Sequence, residues 1–163
     1  MTIAILPLRA DQVAEAKLVL ATVAFPIFKE TATLQEYIDL IEAGHYLKDV
    51  EDFENAYNRN GGAFLAALDD GKLIGTCALR RMSDEIAELR RLWLLKEYHG
   101  QRIGYRLVQA AFALARMHGY RRVLLQTNQI QAEAVAFYRK VGFHEIPSYN
   151  PQSDDDLSLE IEL

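Results

Sequence analysis

Cysteine occurs once in this 163-residue chain, at Cys77, so neither an intrachain disulfide nor a cysteine-rich metal site can be built. A lone thiol fits a reducing compartment, and a cytoplasmic location is expected. Basic residues are outnumbered, 18 against 23, leaving a net charge of −5. That balance argues against nucleic acid as a partner, because binding a phosphate backbone needs a clustered basic excess. No apolar run approaches the length of a membrane span, and "MTIAILPLRADQ" has no basic region leading into a long apolar stretch, so no membrane partner is expected. Repeats, linkers and low-complexity segments are missing too. His45, His118 and His144 show no ligand spacing, and "SDDD" suits neither an EF-hand nor a closed site, so no metal is expected and "SDDD" reads as a solvated turn.

What remains is a globular composition, half hydrophobic and a quarter charged, at a length suited to a single domain over 1–163. "TIAILPLR" is a short strand, and "DQVAEAKLVLATVAF" has helical spacing with Asp11 as a candidate N-cap. In "TLQEYIDLIEAG", Thr33 and Glu36 form a capping-box pair, and Leu34, Tyr37, Ile38 and Ile41 make one apolar stripe. Gly44 supplies its expected stop, and a further helical piece runs through "KDVEDFENAYNRN". The period then changes. "AFLAALDDGKLIGTCALR" reads as a hairpin about an Asp-Gly turn, "IAELRRLWLL" as a third strand and "RVLLQT" as a short buried one. "AEAVAFYRKVGF" is a helix stopping at Gly142, and the tail "DLSLEIEL" alternates as a half-exposed strand does. The order β-α-α-β-β-β-α-β-α-β-β predicts an α/β fold, a mixed sheet with helices on both faces.

"YHGQRIG" at 98–104 separates a strand from the long helix "YRLVQAAFALARMHG". A helix N-terminus offers unpaired N–H groups and a positive dipole end, a ready anion site, and Gly100 and Gly104 would let a ligand approach closely. His99, Arg102 and Arg106 add charge nearby. A plain strand-to-helix turn explains the same residues. No Lys-Ser or Lys-Thr pair follows, which excludes a Walker-type loop, and the three-glycine dinucleotide fingerprint is absent.

The stretch "AELRRLWLLKEYHGQRIGYRLVQAAFALARMHGYRRVLLQTN" with "AEAVAFYRKVGFHEI" resembles the GNAT superfamily of acyl-CoA-dependent N-acetyltransferases, across about 87–146. The resemblance implies acetyl-CoA as co-substrate and transfer of its acetyl group to the primary amine of a small molecule or peptide. It implies a pyrophosphate loop of pattern Gln/Arg-x-x-Gly-x-Gly/Ala. Aligned on the helix stripe, that pattern falls on His99–Gly104, where Gly104 matches and His99 and Arg102 depart. A second register from Gln101 matches Gln101 and Gly104 but puts Arg106 in a small-residue slot. In either register the amides from about Gln101 through Arg102, Ile103, Gly104 and Tyr105 to Arg106 are expected to bind phosphate.

The same resemblance implies backbone pairing of Trp93, Leu94 and Leu95 with the pantetheine arm, an N–H near Leu94 polarising the thioester carbonyl, and Asn128 as a pantetheine ligand. For Asn128 an Asx-turn or N-cap serves equally. An amine of pKa near 10.4 costs roughly 4–5 kcal/mol to deprotonate at pH 7, so a base is required. Glu88 is the candidate, with Glu85 and Glu97 as competitors. Tyr138 is the candidate acid for the departing thiolate, or else a core tyrosine on the stripe with Phe137 and Val141. Cys77 reads as core. The acceptor cleft should be shaped by "FPIFKETATLQEY" and "IPSYNPQSDDDL", with Arg80 and Arg81 nearby. A non-catalytic acyl-CoA-binding domain of the same fold is the alternative, and a homodimer is compatible with the sequence.

Overall fold

In the computed structural model, which describes residues 1–163, seven strands form one mixed sheet in the order β1-β2-β3-β4-β5-β7-β6. The strands are β1 (Ile3–Pro7), β2 (Ala63–Asp69), β3 (Lys72–Arg81), β4 (Ile86–Leu94), β5 (Arg122–Thr127), β6 (His144–Ile146) and β7 (Leu157–Glu162). Six helices connect them: α1 (Val13–Phe28), α2 (Leu34–Ala43), α3 (Lys48–Glu51), α4 (Phe53–Ala56), α5 (Ile103–Met117) and α6 (Ala132–Val141). Seven consecutive residues of β3 are buried, which requires cover on both faces, and α1 and α5 both pack against it. No helix is long and apolar enough to cross a membrane.

Local signals decide most boundaries. The Asp-Gly turn takes left-handed backbone at Asp70 (φ 46°) and Gly71 (φ 85°), matching the twist of the β2–β3 hairpin. Thr33 caps α2 by accepting from the Glu36 amide at 3.2 Å, while the Glu36 carboxylate accepts from Ala32, one residue short of a reciprocal box. Two expectations need correction. Asp11 is not an N-cap: it pairs with Arg9, and a 3-10 turn over Ala10–Gln12 leads into α1, with the Gln12 side chain accepting from the Arg9 amide. Gly44 does stop α2, as its C-cap in right-handed backbone, and the left-handed residue is the next one, His45 at φ 53°. The "KDVEDFENAYNRN" piece is broken into α3, α4 and a 3-10 turn, because it wraps Val50, Phe53 and Tyr57 inward around a corner.

Two features of β4 shape the site. Thr76 pairs with Trp93 and Ala78 with Arg90, so Cys77 faces both Arg91 and Leu92. This is a β-bulge, with Arg91 in left-handed backbone at φ 53°. On its other edge β4 runs parallel to β5 for three pairs only, Ile86 with Arg122, Ala87 with Val123 and Glu88 with Leu124. Beyond Glu88 the strands part.

Candidate active site

The parting of β4 and β5 opens a fork whose apex is Glu88. Leu95 donates to the Ile74 carbonyl at 3.0 Å, which fixes the alternation of the upper strand. The polar backbone groups of Leu94 therefore face the fork, while those of Trp93 face β3. A Cβ on Gly75 would stand 2.8 Å from the Trp93 carbonyl oxygen, which agrees with that orientation. Of the three residues expected to offer backbone to a ligand, Leu94 alone is turned the right way. The Leu95 amide is engaged in the sheet, and the Trp93 side chain packs on the core. The Leu94 carbonyl meets His99 Nε2 at 3.1 Å, which folds the loop over the strand end.

Gly100 (φ 81°) and Arg102 (φ 63°) turn that loop into α5. The amides of Ile103, Gly104 and Tyr105 have no acceptor in the chain, whereas Arg106 already donates to the Arg102 carbonyl at 3.0 Å. The expected cradle thus shortens at its C-terminal end. The Arg106 guanidinium reaches the Ile3 carbonyl at 3.3 Å, away from the helix end, and Gln101 Nε2 leans on the Glu97 carbonyl at 3.4 Å. Gly104 lies in helical backbone, and a Cβ there would approach only Phe137, at 3.8 Å. Three free amides at a positive dipole end, beside an open strand edge, suit a ligand with a diphosphate at one end and an amide-bearing arm.

Glu88 is buried, and both its oxygens are engaged. Arg80, its cross-strand partner, places Nη2 2.7 Å from Oε1, and the Tyr149 hydroxyl donates to Oε2 at 2.7 Å. Arg90, two residues on and so on the same face, has Nε 3.6 Å from Oε1. Burial and the Glu88 charge push the Tyr149 hydroxyl far above its ordinary range, so it stays a donor. Tyr149 belongs to the loop between β6 and β7. No spacing rule marks it, since a tyrosine in a turn-rich segment reads as surface.

Tyr138 is buried on α6, its hydroxyl pushed up by burial and then by Cys77 and Asp155. Its ring packs on those of Phe137 and Phe143, with centroids 5.8 Å from each. Burial alone pushes the Cys77 thiol up to about 12. The "SDDD" turn is solvated as expected, with Asp154, Asp155 and Asp156 exposed; desolvation and the neighbouring Asp156 and Asp154 raise the Asp155 carboxyl, and its charge reaches Tyr138. Asn128 makes the Asx-turn, Oδ1 accepting from Ile130 at 3.1 Å, and the N-cap of α6 is Gln131. Its Nδ2 remains open. Arg81 turns to Asp84, so of the two arginines flagged in β3 only Arg80 reaches the fork.

Comparison with known proteins agrees with this geometry. Residues 28–143 match the model of the acetyltransferase (GNAT) family. The Xenopus tropicalis protein named "Probable N-acetyltransferase camello" is 36% identical over 99 residues, 59% of this chain and 45% of that one. The chain spans about half the length of the curated relatives it matches. Among solved structures, a GNAT-family acetyltransferase of Staphylococcus aureus superposes with TM-score 0.84 at 20% identity, covering 99% of both chains. The PaiA N-acetyltransferase of Thermoplasma acidophilum, solved in complex with coenzyme A, superposes with TM-score 0.82 at 24% identity, covering 100% of both.

Proposed function

The chain belongs to the acetyltransferase (GNAT) family, and on that premise we propose that it transfers an acetyl group from acetyl-CoA to a primary amine of a small molecule or peptide. The observation that carries this reading is the open edge of β4, running from Glu88 at the fork apex to the three unpartnered amides of α5. Those amides and the helix dipole hold the diphosphate, and Leu94 pairs with the pantetheine arm as an added strand would. Asn128 Nδ2 is a further donor for that arm. Acetyl-CoA brings the activated acyl carbon, and the residues of the fork handle protons. We place the domain over 1–163 in the cytoplasm.

Distances along β4 relocate the chemistry. Leu94 lies six residues beyond Glu88, roughly 20 Å at the rise of an extended strand. An acyl carbonyl at the Leu94 amide would be out of reach of any proton transfer to Glu88. We place the thioester nearer the bulge, three or four residues from Glu88; the reading is supported by Cys77, which faces the bulge and whose charge reaches Tyr138. The gap to Glu88 is then roughly 10–13 Å, which a water and the Tyr149 hydroxyl bridge. The amine loses its proton through that route to Glu88 as the N–C bond forms, and the C–S bond breaks as Tyr138 donates to the thiolate.

The non-catalytic alternative is favoured by one observation, the two engaged oxygens of Glu88. A thiol-release assay with acetyl-CoA against amines, amino acids, polyamines and peptide N-termini separates the two. Amine-dependent release supports the enzyme; coenzyme A binding without release supports the binding domain.

A further inference from the structure

Among the five arginines of β3, β4 and β5, four hold a carboxylate closely. Arg80 holds Glu88 at 2.7 Å, Arg81 holds Asp84 at 2.5 Å, Arg91 holds Asp49 at 2.7 Å and Arg122 holds Glu160 at 3.0 Å. Arg90 comes no nearer than 3.6 Å to a carboxylate, through Nε, and Glu88 Oε1 there already belongs to Arg80. Its guanidinium makes no hydrogen bond to a carboxylate. The side chain is 31% exposed, so it is largely out of water yet reachable. A guanidinium in that state lacks acceptors that water would otherwise supply.

Its position gives the missing acceptor a meaning. The Arg90 charge is felt by Asp49 and Tyr57 on the α3–α4 side and by Tyr149 and Asp155 in the β6–β7 loop. Arg90 therefore stands between the two flanks that close on the acceptor end of the fork, next along its face from the candidate base. Asp155, exposed in the β6–β7 loop, accepts from the Ser153 hydroxyl at 3.5 Å and has no cation within salt-bridge range. Once Arg80–Glu88 and Arg91–Asp49 cancel, Arg90 remains as the positive group, close enough for its charge to reach Asp155.

We propose that Arg90 anchors a carboxylate carried by the acceptor, whose class is accordingly an amine that is also a carboxylic acid, such as an amino acid. This rests on the acetyltransferase reading. The planar guanidinium matches a carboxylate through two parallel N–H···O bonds, and Asp155 draws the ammonium end before it loses its proton. A phosphate dianion fits less well, because Glu88 and Asp155 would oppose its second charge.

The test compares kcat/KM for free α- and ω-amino acids with that for their carboxamides, which keep the amine and lose the charge. Wild type should prefer the acids by tenfold or more, since a site built for a charged group rejects the analogue lacking it. Arg90→Gln should collapse that preference towards one, and Arg90→Lys, charged but without the fork, should fall between. Equal rates for acids and amides in wild type, or a preference that survives Arg90→Gln, overturns the proposal. Absence of thiol release with every amine sinks the acetyltransferase reading instead. Arg90 is then judged by calorimetry of coenzyme A-loaded protein with N-acetyl amino acids and their amides. Tighter binding of the acids, lost in Arg90→Gln, upholds the anchor, and equal binding rejects it.

Discussion

Arg91 and Asp49, 42 positions apart in sequence, hold each other through two hydrogen bonds, Nε to Oδ2 at 3.0 Å and Nη2 to Oδ1 at 2.7 Å. The Tyr57 hydroxyl donates to the same carboxylate, and Arg91 also donates to the Tyr46 carbonyl at 3.0 Å. Left-handed backbone costs a residue with a Cβ roughly 1–2 kcal/mol, and Arg91 is the bulge residue that adopts it. The helix pair α3–α4 thus fastens the kink that turns β4 away from β5.

Removing that fastening should be expensive. Both side chains are about four-fifths buried, so Asp49→Ala leaves a guanidinium without its partner and should lower stability by about 3 kcal/mol in urea melts. A variant as stable as wild type would show that the bulge holds itself.

The same pair sets an acid limb. Burial alone would raise the Asp49 carboxyl, but the bonds and charge of Arg91 outweigh it and hold the group below its ordinary range. A carboxylate depressed in the fold contributes stability above its unfolded pKa of about 3.9, and that contribution fades as pH falls below it. Asp49→Asn should therefore lose less stability than wild type between roughly pH 4 and pH 2. Parallel melts across that range provide the check.

Element order and the fork's framework were legible because their signals are local: a capping residue, an Asp-Gly turn, an apolar period. Even the bulge left a trace. Leu89, Leu92 and Leu94 miss strict alternation by one residue, the register slip that two residues facing Cys77 impose. Tyr149 and the Arg91–Asp49 pair left none, because each is brought into place by contacts across 40 or more residues, as with Tyr149 and Glu88 at 61. The side-chain direction of Arg106 was hidden for the same reason, since its acceptor is Ile3.

Coenzyme A should raise the melting temperature, because the amides of Ile103, Gly104 and Tyr105 gain a partner that the unfolded chain cannot offer. A scan at millimolar coenzyme A without an upward shift would remove the ligand assignment.

The two glycines of the loop should behave differently. Gly100 needs its left-handed backbone, so Gly100→Ala should cost about 1 kcal/mol of stability. Gly104 has helical backbone and open space, so Gly104→Val should fold, yet crowd the amides and weaken coenzyme A binding by roughly tenfold. Calorimetry beside melting curves separates the two effects.

Tyr138→Phe keeps the ring's packing and removes the hydroxyl, so acetyl-CoA affinity should hold while turnover falls roughly ten- to a hundredfold. Glu88→Gln should move the limb of the pH–rate profile that reports amine deprotonation and be partly rescued at higher pH. Wild-type profiles for both would return Tyr138 to the core and the base to another group, with Glu85 or a water chain next.

Cys77 is wholly buried, its thiol pushed up to about 12. It should ignore a disulfide reagent at pH 8 and titrate as one thiol after unfolding. Appreciable reaction in the folded protein would mean that the fork opens as far as Cys77.

An exposed strand edge at the rim of a sheet invites another polypeptide to add to it, a hazard that folds usually suppress with charge, proline or cover. The unpaired length of β4 lies within the sheet, with β3 along one side and β5 across the gap, so no neighbouring sheet can dock on it. Only something as slender as a single extended chain can slip between them. The protein can therefore leave a strand's worth of hydrogen-bonding capacity vacant without becoming a template for aggregation.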